Sequence, residues 1–212
     1  MNFNLTHENK FYYFAFLVLV SVFGYLIINH NPFFVPQLLP FTTVDEAIPF
    51  IPESIWIYAS LYPMMIVCFY LLIDELEILE KGIKAFFLLQ IVSFTIFLLY
   101  PTVYPRHIFP LQGETGVFTK MLFESIRQAD LPLNCFPSLH VGNCFICFLF
   151  VWNLSRYKAL PLLIWSLLVA FSTISTKQHY FYDVVSGMTA ATFCYWMLFK
   201  KSLPTNSLQP HK

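Results

Sequence analysis

The sequence predicts an all-α, polytopic membrane bundle of about six transmembrane helices, forming one membrane domain over residues 1–212. Composition is the first reason: 58% of residues are hydrophobic and only 11% charged. A soluble domain carries about a quarter charged residues. Mean hydropathy is +0.63, more apolar sequence than one soluble core can use. The second reason is aromatic content of 19%, including 25 Phe, which suits hydrocarbon and its edges. The third is the recurrence of apolar runs near the length that crosses a bilayer. The net charge is zero, so no basic field points to nucleic acid.

The runs fall at about 11–29, 55–73, 83–100, 141–155, 159–176 and 180–199. The first follows Lys10 with no small-residue cleavage pattern after it, and reads as a retained span. The fourth is short, and the sixth contains Asp183. With the N-terminus inside, the cytoplasmic segments hold Lys10, Lys81, Lys84, Arg156, Lys158, Lys200, Lys201 and Lys212. The outer segments hold Arg106, Lys120, Arg127 and Lys177. That asymmetry puts both termini in the cytoplasm. Two long loops, about 30–54 and 101–140, then lie outside, and loops of that length are uncommon unless they do something. In the second, Val117, Phe118, Met121, Leu122, Ser125 and Ile126 recur at helical spacing. They predict a short helix, lying in the interface or packed as a cap over the bundle. The polar tail at 202–212 is expected to be disordered. Five Cys without regular spacing make no disulfide framework. Cys144 and Cys147 lie within an apolar run without a second ligand pair, and read as helix packing.

Polar clusters gather at the outer ends of the spans. Phe136-Pro137-Ser138-Leu139-His140 precedes the fourth. Pro suits a first helical turn, and free amides at a helix N-terminus make an anion site. Ser138 adds a hydroxyl and His140 an imidazole. The structural alternative is a capped helix start with an interfacial His. Lys177-Gln178-His179-Tyr180-Phe181-Tyr182-Asp183 opens the sixth span. His179 and Asp183 are four apart, so a helix puts them on one face. A carboxylate inside an apolar span faces the bundle interior and is functional by default. Beside an imidazole it fixes the tautomer, unless the pair only ties helices together. Arg106, in Tyr104-Pro105-Arg106-His107, offers a guanidinium that matches phosphate oxygens, or contacts headgroups.

These are the parts for phosphoryl transfer. His179 is the candidate nucleophile, Asp183 its orienting carboxylate and His140 the candidate general acid. Arg106, Ser138, Lys177 and the helix N-terminus are the candidate phosphate ligands. The chemistry depends mainly on positioning and charge stabilisation, so neither metal nor cofactor is expected. The two imidazoles need different protonation states.

At these residues the sequence resembles the type 2 phosphatidic acid phosphatase superfamily, whose helical core is shared with vanadium haloperoxidases. The second family motif, Pro-Ser-Gly-His, appears as Pro137-Ser138-Leu139-His140. The third, Ser-Arg followed by His-x-x-x-Asp, appears as Ser172-Thr173, then His179 and Asp183. The first survives as Arg106 alone, with Leu99 where the Lys falls and His107 in place of Pro. Phe-Pro-Ser-Leu-His, Lys-Gln-His-Tyr and the stretch Asp45 to Tyr58 look more like the branch of inositol-phosphorylceramide and sphingomyelin synthases. The resemblance covers roughly residues 40 to 199, and the first span is extra. It implies an integral membrane enzyme acting on a phospholipid or other lipid phosphate through a phospho-His, at the outer or lumenal face. Hydrolysis and transfer of a headgroup to another lipid remain open at this point. So do a transporter with a His/Asp/Lys relay and a hydrolase holding a metal on His140, His179 and Asp183. The transporter is disfavoured because the polar residues sit at span ends, not at midplane.

Overall fold

The computed structural model describes residues 5–111 and 115–199; the tail at 202–212 lies outside the described residues. Helices form over all six apolar segments. They are α1 (Lys10–His30), α3 (Ile55–Ala59) continued by α4 (Leu61–Leu72), α5 (Leu76–Leu99), α7 (Leu139–Leu154), α8 (Arg156–Ser175) and α9 (Phe181–Phe199). Two short helices, α2 (Thr43–Ala47) and α6 (Val117–Ala129), lie in the long loops. Two-residue strands β1 (Gln37–Leu38) and β2 (Thr102–Val103) pair in parallel.

Among the described residues, four runs are long and apolar enough to cross a membrane: Lys10–His30, Pro52–Leu72, Leu76–Leu99 and Arg156–Ser175. The second is interrupted at Ser60, which separates α3 from α4. Its hydroxyl donates to the Ile57 carbonyl and accepts from the Trp165 indole at 2.7 Å, so the break is locally satisfied. The apolar helix α7 has 16 residues.

Helix α7 is the centre of the bundle, packed against α4, α5, α8 and α9. All five cysteines are free and buried, and Cys144 and Cys147 belong to the main core with Cys68. Two glycines let α7 and α9 cross with their backbones in contact. A Cβ at Gly187 would sit 2.5 Å from the Ser138 carbonyl oxygen, and one at Gly142 would sit 3.3 Å from the Gly187 carbonyl oxygen. Small residues permit such close approach in membrane bundles. The Ser138 amide donates across this crossing to the Asp183 carbonyl at 3.0 Å. The crossing brings the two motif-bearing helix starts together.

The loops are clipped onto that end of the bundle. Ile51 donates its amide to the Ser175 carbonyl at 2.8 Å, and the Ser54 and Ser175 hydroxyls meet at 2.7 Å. Thr102 Oγ1 accepts from the amides of Cys135 and Phe136. Helix α6 buries Phe123 with Leu122 and Ile126 against Ile55 and Tyr58, while Val117, Phe118 and Met121 stay exposed. It is a packed cap that also presents an apolar face. The spacing of apolar residues alone merged these two faces into one stripe.

Candidate active site

His179 and Asp183 meet as their spacing requires. His179 Nδ1 lies 3.2 Å from Asp183 Oδ2 and 3.1 Å from the Cys135 carbonyl oxygen. Both neighbours only accept, so Nδ1 carries the hydrogen and the Nε2 lone pair is left free. Nε2 is shielded and has no hydrogen-bond partner among the described residues. Asp183 Oδ2 also accepts from the Tyr180 amide at 2.8 Å, which caps the start of α9.

His140 lies one residue into α7, behind its cap. Ser138 Oγ accepts from the Val141 amide at 3.4 Å. That leaves the Leu139 and His140 amides without helical acceptors and the Ser138 hydroxyl hydrogen free to donate. The His140 and His179 ring centroids are 5.7 Å apart. On its other side the His140 ring lies 4.3 Å from Tyr58, whose hydroxyl is 3.2 Å from Nδ1.

Arg106 is buried but not alone. Its Nη2 meets Asp130 Oδ2 at 3.0 Å, and its Nη1 donates to the Asp130 carbonyl. Nε has no partner among the described residues. Burial disfavours the Asp130 charge, but Arg106, His140, the Tyr25 hydroxyl and His179 together outweigh it and hold the carboxyl below the usual range. Helix α1 holds this pair from behind. The Tyr25 hydroxyl donates to Asp130 Oδ1. The fully buried Asn29 accepts from the Leu131 amide at 3.0 Å and donates to the Leu131 and Leu133 carbonyls.

Lys177 takes a left-handed backbone, φ 54°. Its ammonium donates to the Asp45 and Ile48 carbonyls at 2.8 and 2.6 Å and lies 5.2 Å from the Phe109 ring centroid. Burial lowers its pKa, and Asp45 opposes that. Two of its three donors therefore fasten α2 to the turn before α9. Asp45 completes the clasp: Oδ1 accepts from the Phe181 amide at 2.8 Å and Oδ2 closes a capping box with Thr42.

The structure thus joins His140, His179, Asp183 and Ser138 at one crossing. It gives Arg106 an acidic partner and gives Lys177 backbone acceptors. The sequence reading missed Tyr58, Asp130, Asn29 and Asp45. Only Asp45 had a local signal, the Thr42-x-x-Asp45 capping pattern. Arg127, in the last turn of α6, is a further cation at this end. Its Nη1 donates to the Phe109 carbonyl at 3.2 Å, and burial together with Arg106 lowers its pKa to about 10.

A metal is a chemical option at one place among the described residues. Cys135, His179 and Asp183 each offer a buried ligand atom, all within 4.8 Å of one another. The same His179 and Asp183 otherwise form a nucleophile and its orienting acid. A free imidazole nitrogen, a second imidazole beyond it and helix-start amides can together carry out attack, protonation and charge stabilisation.

No curated protein matches the chain. The family model of the PAP2 superfamily matches residues 33–197, well over half of the chain and every motif residue above. Members are generally phosphatases or phosphotransferases, and the apolar helices fit an integral membrane protein of this kind. From its fold, its paired histidines and this match, the chain belongs to the PAP2 superfamily.

Proposed function

We propose that the protein is a lipid-phosphate phosphatase that works through a phospho-His179 intermediate on the outer face of the membrane. The observation that carries this reading is His179 itself. Two acceptors hold its Nδ1, and its Nε2 lone pair is unpartnered among the described residues. Nε2 attacks phosphorus, and the leaving oxygen takes a proton from His140. Water then cleaves the P–N bond, with His140 receiving its proton. Ser138, the α7 amides and Arg106 stabilise the phosphoryl oxygens, joined by the remaining N–H of Lys177. For Arg106 this means Nε, with Asp130 holding the other edge of the guanidinium.

One observation favours transfer as a second reading. Nε2 is shielded from solvent, and a dry phospho-His is better protected from water until a lipid hydroxyl arrives. That reading fits the resemblance to the inositol-phosphorylceramide and sphingomyelin synthase branch.

The test uses purified protein in detergent with EDTA. It is given phosphatidic acid, or a phospholipid donor with diacylglycerol or ceramide as acceptor. Phosphate release that vanishes in His179→Ala supports the phosphatase. A new phospholipid without free phosphate supports transfer. Loss of activity in EDTA, restored by a divalent metal, moves the chemistry to the Cys135–His179–Asp183 group. Activity that survives His179→Ala overturns the reading.

A further inference from the structure

We propose that α6 lies in the lipid leaflet on the side of the candidate site, with Val117, Phe118 and Met121 against acyl chains close to the headgroup border. The partner of this face is the bilayer itself.

Two helices that run side by side set the depth. Helix α8 has 20 residues, a length of about 30 Å that matches the hydrocarbon of a bilayer with little to spare. Its last residue, Ser175, therefore marks the hydrocarbon edge at the end that carries the site. Ser54 meets Ser175 there, hydroxyl to hydroxyl at 2.7 Å, and the Ile51 amide donates to the Ser175 carbonyl at 2.8 Å. Further in, the Trp165 indole donates to the Ser60 hydroxyl at 2.7 Å. The chain from Ser54 to Ser60, which includes α3, thus descends beside α8 from that edge toward midplane. The run Pro52–Leu72 agrees: its 21 residues reach about 31 Å, so a crossing uses its full length, α3 included.

Helix α6 is fastened to α3 inward of that edge. The Trp56 indole donates to Thr119 Oγ1 at 3.1 Å, and Phe123 packs with Ile55 and Tyr58. Trp56 and Tyr58 come two and four residues after Ser54, about 3 and 6 Å deeper at helical rise. Trp56 is itself 53% exposed, and an exposed Trp near the end of a span belongs to the interfacial belt. The side of α6 turned away from α3 is divided. Lys120, Glu124 and Gln128 follow one another at four-residue spacing and line one hollow with Arg127 and Leu111. Val117, Phe118 and Met121, in the first turn and a half, are 72, 78 and 61% exposed. At the depth of Trp56 these three side chains meet acyl chains, and taking their surface out of water is favourable. A polar flank and an apolar flank on one helix suit a position in the interface plane. The placement also gives the candidate site a wall that faces lipid. Phe123 packs on Tyr58, and the Tyr58 ring lies 4.3 Å from that of His140.

The test uses the full chain in nanodiscs holding one copy each. Phe118→Trp adds a fluorophore to the apolar flank and Gln128→Trp adds one to the polar flank, with wild-type emission subtracted. Lipids brominated in the upper acyl chain should quench most of the emission added at position 118 and little of that added at position 128. Aqueous iodide should do the reverse. A second measurement needs no variant, so a misfolded substitution cannot decide the matter. In wild type, a photolabel carried on a lipid acyl chain should modify the tryptic peptides that end at Lys120 and at Arg127. Position 118 quenched by iodide and not by brominated lipid, or wild-type peptides without label, would place α6 in water and overturn the proposal. Position 118 quenched by neither reagent would show protein covering this face, and would overturn it as well.

Discussion

Replacing Gly187 by alanine probes the crossing that sets the two imidazoles against each other. The new Cβ would lie 2.5 Å from the Ser138 carbonyl oxygen and 3.3 Å from the Gly142 amide nitrogen. Both are backbone atoms in the first turn of α7 or its cap, so neither can rotate away. Restoring an ordinary contact of 3.4 Å requires α7 and α9 to part locally by about 0.9 Å. The Ser138–Asp183 backbone bond, 3.0 Å long, spans the same crossing and must lengthen or turn. Overpacking of this kind costs about 1–3 kcal/mol. Misplacing reacting groups by about 1 Å lowers a rate by roughly 100-fold. Gly187→Ala should therefore melt a few degrees lower in detergent and lose about two orders of magnitude in kcat, with little change in KM. Gly116→Ala is the control, because a Cβ there meets nothing within 4 Å. Phosphate release and thermal unfolding measured on both variants decide the matter. A Gly187→Ala protein with wild-type melting and wild-type kcat would refute the claim that this backbone contact sets the site.

Two further outcomes follow from the polar contacts. Asp183→Asn replaces an anionic acceptor at His179 Nδ1 with a neutral amide that can offer either end, and should lower kcat by about 100- to 10,000-fold while the melting curve shows an intact fold; equal turnover would remove Asp183 from the mechanism. Asp130, with its carboxyl held below the usual range against burial by Arg106, His140, the Tyr25 hydroxyl and His179 together, gives stability that is present above the unfolded carboxylate pKa of about 4 and is lost as pH falls through the lower folded value. Melting temperature followed from about pH 6 to about pH 3 should fall in wild type, and Asp130→Asn should flatten that acid-side slope; an identical slope in the variant would show that other carboxylates carry it.

The fold class and the heart of the site were legible because they depend on local pattern. Apolar runs of bilayer length declare themselves, and His179 with Asp183 needs only helical spacing to be read as a pair. Ser138 behind Pro137 carries its own capping signal. What could not be read depends on pairing across the chain. Nothing around Tyr58 marks it as a neighbour of His140, 82 residues later. Arg106 reads as a free cation until Asp130 is seen beside it. Lys177 reads as a free ammonium until the Asp45 and Ile48 carbonyls are seen to take two of its three donors. The break at Ser60 was hidden because the apolar run continues through it. The two faces of α6 were merged because spacing does not say which neighbour each face meets.

Helix α1 lies N-terminal to the residues matched by the family model, yet Tyr25 and Asn29 brace the Asp130–Leu133 loop that holds Arg106. The family match therefore leaves out residues that brace the candidate site. A version begun at residue 33 would retain every family motif and leave Asp130 without one partner and the Leu131 and Leu133 backbone without three. Such a boundary, drawn from motif content alone, would cut through the support of the site. Any minimal version made for reconstitution, or any graft of these loops onto another bundle, has to carry the first helix or a substitute for its two polar side chains.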